Sequence, residues 1–483
     1  MSVSRKGHRC RGRHNGRLRA VLIACAYRWF RRIAFVEIST QTQAFIKAHR
    51  HEDVRALALQ AKRTDGLDLP FALDQIAGWQ TAQHKLPQWA EHDGIIYPPH
   101  ISMEQCSSQF TAQYKAKLAQ RILRDNQDGS KPLPDSSITK PEDDDNDSLN
   151  ANQISNPAEA EAQSSSMADI TGGFGVDFSY MARQFTTAIY VERQPHLCEI
   201  AQHNMNILGL NQTVIRNGDA EELLADLEER NQRLSLIFAD PARRDSHGSR
   251  TYAIADCTPD VLALHRRMLA IAPIVMLKLS PMLDWRKTAE DFQGAVSEIH
   301  IVSTGNECKE LLLVLRNDHQ PDQPVHMVCV NDSSIVAYEW NGLMQSTPAN
   351  IQAEAATQRE PLEQQQYLYE PNASLMKAGA FDIVSERYPA APVSTNSHLF
   401  VSNTPIEDFP GRGFAIEAVS TMNKRELRSL VSDLTHANIA TRNFPLSVQQ
   451  LRAKLRLRDG GSAYLFAATD RDGRHCVIRT HRL

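Results

Sequence analysis

The chain has 483 residues, 42% of them hydrophobic and 23% charged, with a formal net charge of −4; this leaves room for about three globular domains and excludes fibrous or wholly disordered classes. No run approaches the ~18 to 20 apolar residues of a membrane span. Eight cysteines without a C-x-x-C pair signal neither a zinc site nor a disulfide framework, so reduced thiols in a cytoplasm and no metal are expected.

Residues 1–36 carry ten Lys or Arg and no acid. The apolar stretch from Ala20 to Tyr27 is flanked by arginines and lacks a small-x-small cleavage site, so a disordered basic leader is expected rather than a secretion signal. Over 37–127 the pattern is helical, with Val54, Leu57, Ala58 and Ala61 at i, i+3, i+4 and i+7 forming one apolar stripe. Residues 128–166, rich in Ser, Asp, Asn, Pro and Ala, read as an acidic disordered linker, because they hold too little apolar surface to offset the entropy of ordering.

From 167 to 317 strands alternate with helices. "MADI", "TAIYVE", "QTVIRNGD", "LSLIFADP", "PIVMLKLSP", "VSEIHIVSTG" and "KELLLVLR" predict an α/β fold with a Rossmann-like sheet of seven mostly parallel strands. The last two strands lie too close in sequence for a crossover helix and predict an antiparallel hairpin at the sheet edge. Residues 318–410 read as a connecting β-hairpin ("VHMVCV", "SSIVAYEW") followed by a small unit around "EPNASLMKAGAF"; residues 411–483 read β-α-β-α-β-β, a small α+β domain.

The glycine loop "DITGGFGVD" follows the first strand of this sheet and opens a helix. Glycine there lets backbone approach a ligand closely. Glu192, ending the second strand, is placed to accept ribose hydroxyls; Asp219 ends the third strand and Asp240 the fourth. Each acid alone is more often a helix cap. With Asp169 at the end of the first strand, four acids at the carboxyl ends of consecutive strands point to a nucleoside-bearing cofactor.

These features resemble the class I S-adenosylmethionine-dependent methyltransferases. More closely, "RHEDVRALALQ", "LPFALDQIAGWQ", "DGIIYPPHISMEQCSS", "DITGGFGVDFSYMA", "YEPNASLMKAGAF" and "RNFPLSVQQLRAKL" are similar to a bacterial family that adds a ferredoxin-like segment and a C-terminal THUMP-like domain. The resemblance implies S-adenosyl-L-methionine as cofactor. It implies Gly172, Gly173 and Gly175 around the methionine moiety, Asp169 on its amino group, Glu192 on the ribose, Asp219 and Ala220 at the adenine, and Asp240 at the cofactor's edge.

Many enzymes that methylate base nitrogens carry Asp-Pro-Pro-Tyr where this chain has Asp240, Pro241, Ala242 and Arg243. Asp240 and Pro241 preserve the groups that would position an acceptor nitrogen. A guanidinium at Arg243 can stack on a base or pair with phosphate; its plainer role is a salt bridge to a local acid such as Asp245. The following strand ends in Ser280 and Pro281, with no cysteine for carbon methylation. At the C-terminus Arg442, Arg452, Lys454, Arg456 and Arg458 form a basic run without an acid among them, either a solvated face or a phosphate-binding one. THUMP-like domains occur in RNA-modifying enzymes, so the resemblance implies RNA as partner. The expected function is methylation of a base nitrogen in rRNA or tRNA; the alternatives are a methyltransferase for a protein or small molecule, and a non-catalytic cofactor- or RNA-binding module.

Overall fold

The computed structural model describes residues 38–61, 64–128, 165–243, 254–342 and 361–483. The basic leader, nearly all of the acidic linker, Arg244 and Asp245 lie outside the described residues. Among the described residues no helix is long and apolar enough to cross a membrane.

The described chain opens with helices α1 (Thr40–His49), α2 (Val54–Gln60), α3 (Leu69–Lys85), α4 (Pro87–Glu91), α5 (His100–Gln105) and α6 (Gln109–Asp128). Local chemistry sets their starts: Ser39, Asp53 and Asp68 each accept a backbone N–H of the first turn, and a proline follows Asp68 within the first two helical positions. Helix α3 buries Phe71, Ala72, Gln75, Ile76, Trp79 and Ala82, one face at helical spacing.

Strands β1 (Ser166–Asp169), β2 (Thr187–Glu192), β3 (Thr213–Asn217) and β4 (Leu236–Ala239) alternate with α7 (Val176–Met181), α8 (Pro195–Ile207) and α9 (Ala220–Glu229). β1 lies between β2 and β4, and β3 flanks β2, all parallel, with Asp169 opposite Tyr190 and Phe238 and Glu192 opposite Asn217. This register brings the acids that close β1 and β2, and those just beyond β3 and β4, to one edge of the sheet. These helices and strands make up one of two compact units.

The second unit holds the rest. After the two-residue strands β5 (Ala242–Arg243) and β6 (Cys257–Thr258) come α10 (Val261–Ile271, whose second half counts with the first unit), β7 (Ile274–Leu279), α11 (Trp285–Asp291), β8 (Val296–Thr304), β9 (Glu307–Arg316), β10 (Val325–Asn331) and β11 (Ser334–Trp340). β8 and β9 form the expected hairpin, turning on Gly305 and Asn306, both at positive φ. The hairpin is not at the edge, however. β10 pairs with β8 in parallel and β11 with β10 antiparallel, so the seven expected strands become nine, ordered β11-β10-β8-β9-β7 in this unit and β4-β1-β2-β3 in the first. The cause is β10 itself, which is buried at its first six positions and cannot stand as an isolated ribbon.

A second sheet of seven strands follows the order β13-β14-β12-β15-β18-β17-β16, where β12 is Tyr367–Pro371, β13 Ala391–Pro392, β14 Phe400–Ser402, β15 Gly411–Thr421, β16 Asn438–Arg442, β17 Ala463–Thr469 and β18 His475–Arg482. Helices α12 (Ala373–Ala378) and α13 (Phe381–Arg387) precede β13, and α14 (Lys424–Leu430) and α15 (Val448–Leu455) alternate with the later strands. β12 pairs with β15 from Tyr367↔Ala415 to Pro371↔Gly411, so residues 367–410 and 411–483 share one sheet.

Candidate cofactor site and basic face

The glycine loop is held from below by the strand beside it. Gly172 donates its N–H to Val191 O at 2.8 Å, and Tyr190 donates its hydroxyl to Gly173 O at 2.5 Å. A Cβ on Gly172 would fall 2.2 Å from the Tyr190 ring, so only glycine lets the loop lie on that ring. Gly173 and Gly175 take φ of 56° and 86°. At Gly173 an added Cβ would meet nothing nearer than Thr171 O at 3.7 Å, so glycine is required there by its positive φ and not by crowding.

Two acids bracket the loop. Glu192 accepts the Gly173 N–H at 3.0 Å through one oxygen and the Gln194 N–H at 2.9 Å through the other. It is half-buried, and each carboxylate oxygen keeps a second lone pair for a hydroxyl donor. Asp169 is 2% exposed. Its Oδ1 accepts both the N–H (2.9 Å) and the hydroxyl (3.2 Å) of Thr171. Burial first, and then the nearby charges of Asp177 and Asp240, push its pKa up to about 8 against the lowering effect of the Thr171 hydrogen bonds.

Asp240 is half-buried, and its backbone N–H donates to Thr171 Oγ1 at 2.6 Å. Asp219 caps α9: its Oδ1 accepts the Glu222 N–H at 2.9 Å while Glu222 accepts the Asp219 N–H at 3.3 Å, a capping box. Its cap role is therefore real, and its carboxylate remains partly exposed. Ala220 is buried at the first helical position. Of the acceptor-side residues, Pro241 is buried, and Arg243 pairs through its backbone with Cys257 in the β5–β6 ladder, while its side chain lies outside the described set. Thr171 and Tyr190 were not singled out by sequence reasoning. Tyr190 was in reach, because it occupies an inward position of β2; Thr171 had no signal beyond its place in the loop.

The five basic residues of the C-terminal domain do not form one free face. Arg442 donates to the buried carboxylate of Glu370 at 2.6 Å, on the other oxygen from the one Arg412 holds. Arg452 donates to Ala437 O at 3.0 Å and Asp459 at 2.6 Å. Lys454, Arg456 and Arg458 are exposed, at and just beyond the end of α15. Among the described residues no group of three His, Cys, Asp or Glu is arranged to hold a metal.

A family model described as THUMP domain-like matches residues 411–482, and one described as a ferredoxin-like domain matches 367–410. A crystal structure from Porphyromonas gingivalis W83, provisionally named a methyltransferase, is 27% identical and covers 92% of this chain and 97% of its own, with a TM-score of 0.69. A methyltransferase from Agrobacterium tumefaciens, named as S-adenosylmethionine-dependent, is 17% identical over 31% of this chain and 55% of its own, with a TM-score of 0.25. No curated protein matches the chain. Over 92% of its length the chain is thus similar to a protein named as a methyltransferase, and it ends in a ferredoxin-like segment and a THUMP-like domain.

Proposed function

We propose that the protein transfers a methyl group from S-adenosylmethionine to a base nitrogen of structured RNA, rRNA or tRNA, in the cytoplasm. The observation that carries the cofactor half is the placement of Asp169, a buried carboxyl at the end of β1, beside the glycine loop whose Gly173 N–H is held by Glu192. S-adenosylmethionine fits this donor set, with an ammonium for Asp169, a ribose for Glu192 and an adenine toward Asp219 and Ala220. When bound it supplies a methyl group activated by the sulfonium. The protein's part is to align donor and acceptor and to exclude water.

The acceptor half rests on Asp240 and Pro241 at the carboxyl end of β4, where a side-chain and a backbone oxygen can accept hydrogens from an exocyclic amine and so orient its lone pair. The basic triplet Lys454, Arg456 and Arg458, exposed on a THUMP-like domain, supports RNA over a protein or small molecule, because exposed cations attract phosphates without needing sequence. Incubation of purified protein with methyl-labelled cofactor and total RNA, followed by nucleoside analysis, tests the reading. Label in a base nitrogen is expected. Cofactor binding with no labelled RNA would refute the acceptor.

A further inference from the structure

We propose that the N-terminal helices are a working part of the cofactor site, with Lys115 and Trp89 as positioning residues for the glycine loop. This rests on the cofactor reading above. Asp177, the second residue of α7, stands two residues beyond Gly175. Its carboxylate accepts the Ser107 hydroxyl at 2.7 Å and lies 3.1 Å from the Lys115 ammonium, which is itself 3.4 Å from Ser107 Oγ. The Lys115 side chain is fully buried and that of Asp177 is 10% exposed. On the loop itself, the ring of Phe174 meets Trp89 edge-on, with centroids 5.0 Å apart. A third attachment joins the same two layers, because Asn204 of α8 bonds both backbone groups of Ile96 at 2.9 Å.

The loop is thus gripped from two directions. The sheet side supplies Tyr190 and Glu192, both within 20 residues of the loop they hold; the helical side supplies Trp89, Ser107 and Lys115. A helix of six residues such as α7 has little stability of its own, so its first turn, and the loop that leads into it, take their position from these partners. A buried ion pair is a poor source of stability, since desolvation offsets most of its attraction and an apolar pair of similar volume serves as well. What Lys115, Ser107 and Asp177 add is direction, by fixing one carboxylate with a charge and a hydrogen bond at a defined place. Stability and loop order should therefore separate.

The test compares the full-length wild type with Lys115→Met/Asp177→Leu, which replaces the pair by apolar groups, and with Lys115→Arg and Ser107→Ala. The first readout is hydrogen exchange of the amides of Gly172, Gly173 and Gly175 without cofactor, so it stands whether or not the cofactor reading does. The second is the dissociation constant for S-adenosylhomocysteine. In the double variant exchange of the loop amides is expected to quicken at least tenfold, with exchange in β1 and β2 unchanged, and affinity to fall about tenfold. Lys115→Arg should restore most of both. If the double variant fails to fold, Ser107→Ala decides, with a several-fold change expected in the same two quantities. Loop exchange equal to wild type in whichever folded variant is read overturns the proposal. Wild-type protein that does not bind S-adenosylhomocysteine overturns the cofactor assignment instead.

Discussion

The hydroxyl of Thr171 receives the backbone N–H of Asp240 at 2.6 Å and donates to the carboxylate of Asp169 at 3.2 Å. One side chain therefore couples the acid at the end of β1 to the first residue beyond β4, and the charge of Asp240 raises the pKa of Asp169. Loss of that hydroxyl in Thr171→Val leaves the Asp240 N–H without its acceptor, at a cost of about 1–3 kcal/mol. It should also raise the Asp169 pKa further, and titration of that carboxyl by NMR would read the shift.

Asp169 makes cofactor affinity depend on pH. With its pKa at about 8, the carboxyl of the empty site is protonated at neutral pH, and a cationic ligand has to displace that proton. Affinity for S-adenosylhomocysteine should rise by up to about tenfold per pH unit from pH 6 and level off near pH 8. Calorimetry in buffers of different ionisation enthalpy should register proton release. Asp169→Asn should flatten the profile and leave affinity below that of the wild type at pH 8.

The same group carries a stability signature of known sign. A carboxyl whose folded pKa lies above its unfolded value near 4 favours the folded state at low pH, and that contribution is lost as pH rises through about 8. Asp169→Asn should consequently raise the melting temperature of the cofactor-free protein at pH 8 and have little effect at pH 4. A variant less stable than wild type at pH 8 would contradict this.

Tyr190 and Gly172 form a contact with no spare room. Tyr190→Phe removes one hydrogen bond to the loop and should cost about 1 kcal/mol. Gly172→Ala puts a methyl 2.2 Å from the ring and should cost more, about 1–3 kcal/mol, with a larger loss of cofactor affinity. Thermal unfolding and calorimetric titration of both variants check the order.

The basic residues divide by their partners. Arg442→Ala leaves the buried Glu370 carboxylate with Arg412 still beside it but one cation fewer and should destabilise the C-terminal unit, since an undercompensated buried charge is costly. The Lys454→Ala/Arg456→Ala/Arg458→Ala triple variant should keep its fold and lose RNA affinity, with the slope of log affinity against log salt reduced by roughly 0.7 to 0.9 for each phosphate contact removed. Arg456 holds φ of 59° at the end of α15, so Arg456→Gly should stabilise by up to about 1 kcal/mol while weakening RNA binding.

Strands β1–β4 and β7–β9 were legible in the sequence because period-2 and period-3.6 apolar patterns, proline at the start of α8 and glycine at its end are local signals; the two-residue strands β5 and β6 were not. The glycine loop and the acids at the strand ends were legible for the same reason: each acid lies beside the strand that presents it. The sequence also raised the cap reading of Asp219, which the capping box with Glu222 bears out, three residues away.

Interactions between distant residues were not legible. No pattern in the sequence says that Arg442 closes on Glu370, 72 residues earlier, or that Lys115 meets Asp177 across 62 residues. Equally, the apolar run of β10 announced a strand but not its neighbour, since pairing depends on which edge is open once the other strands are in place. The sequence by itself determined the elements, the loop and the order of acids along the sheet. Only the tertiary structure decided which charges are spent on one another and which stay exposed, because burial and pairing are properties of the folded surface and not of the chain.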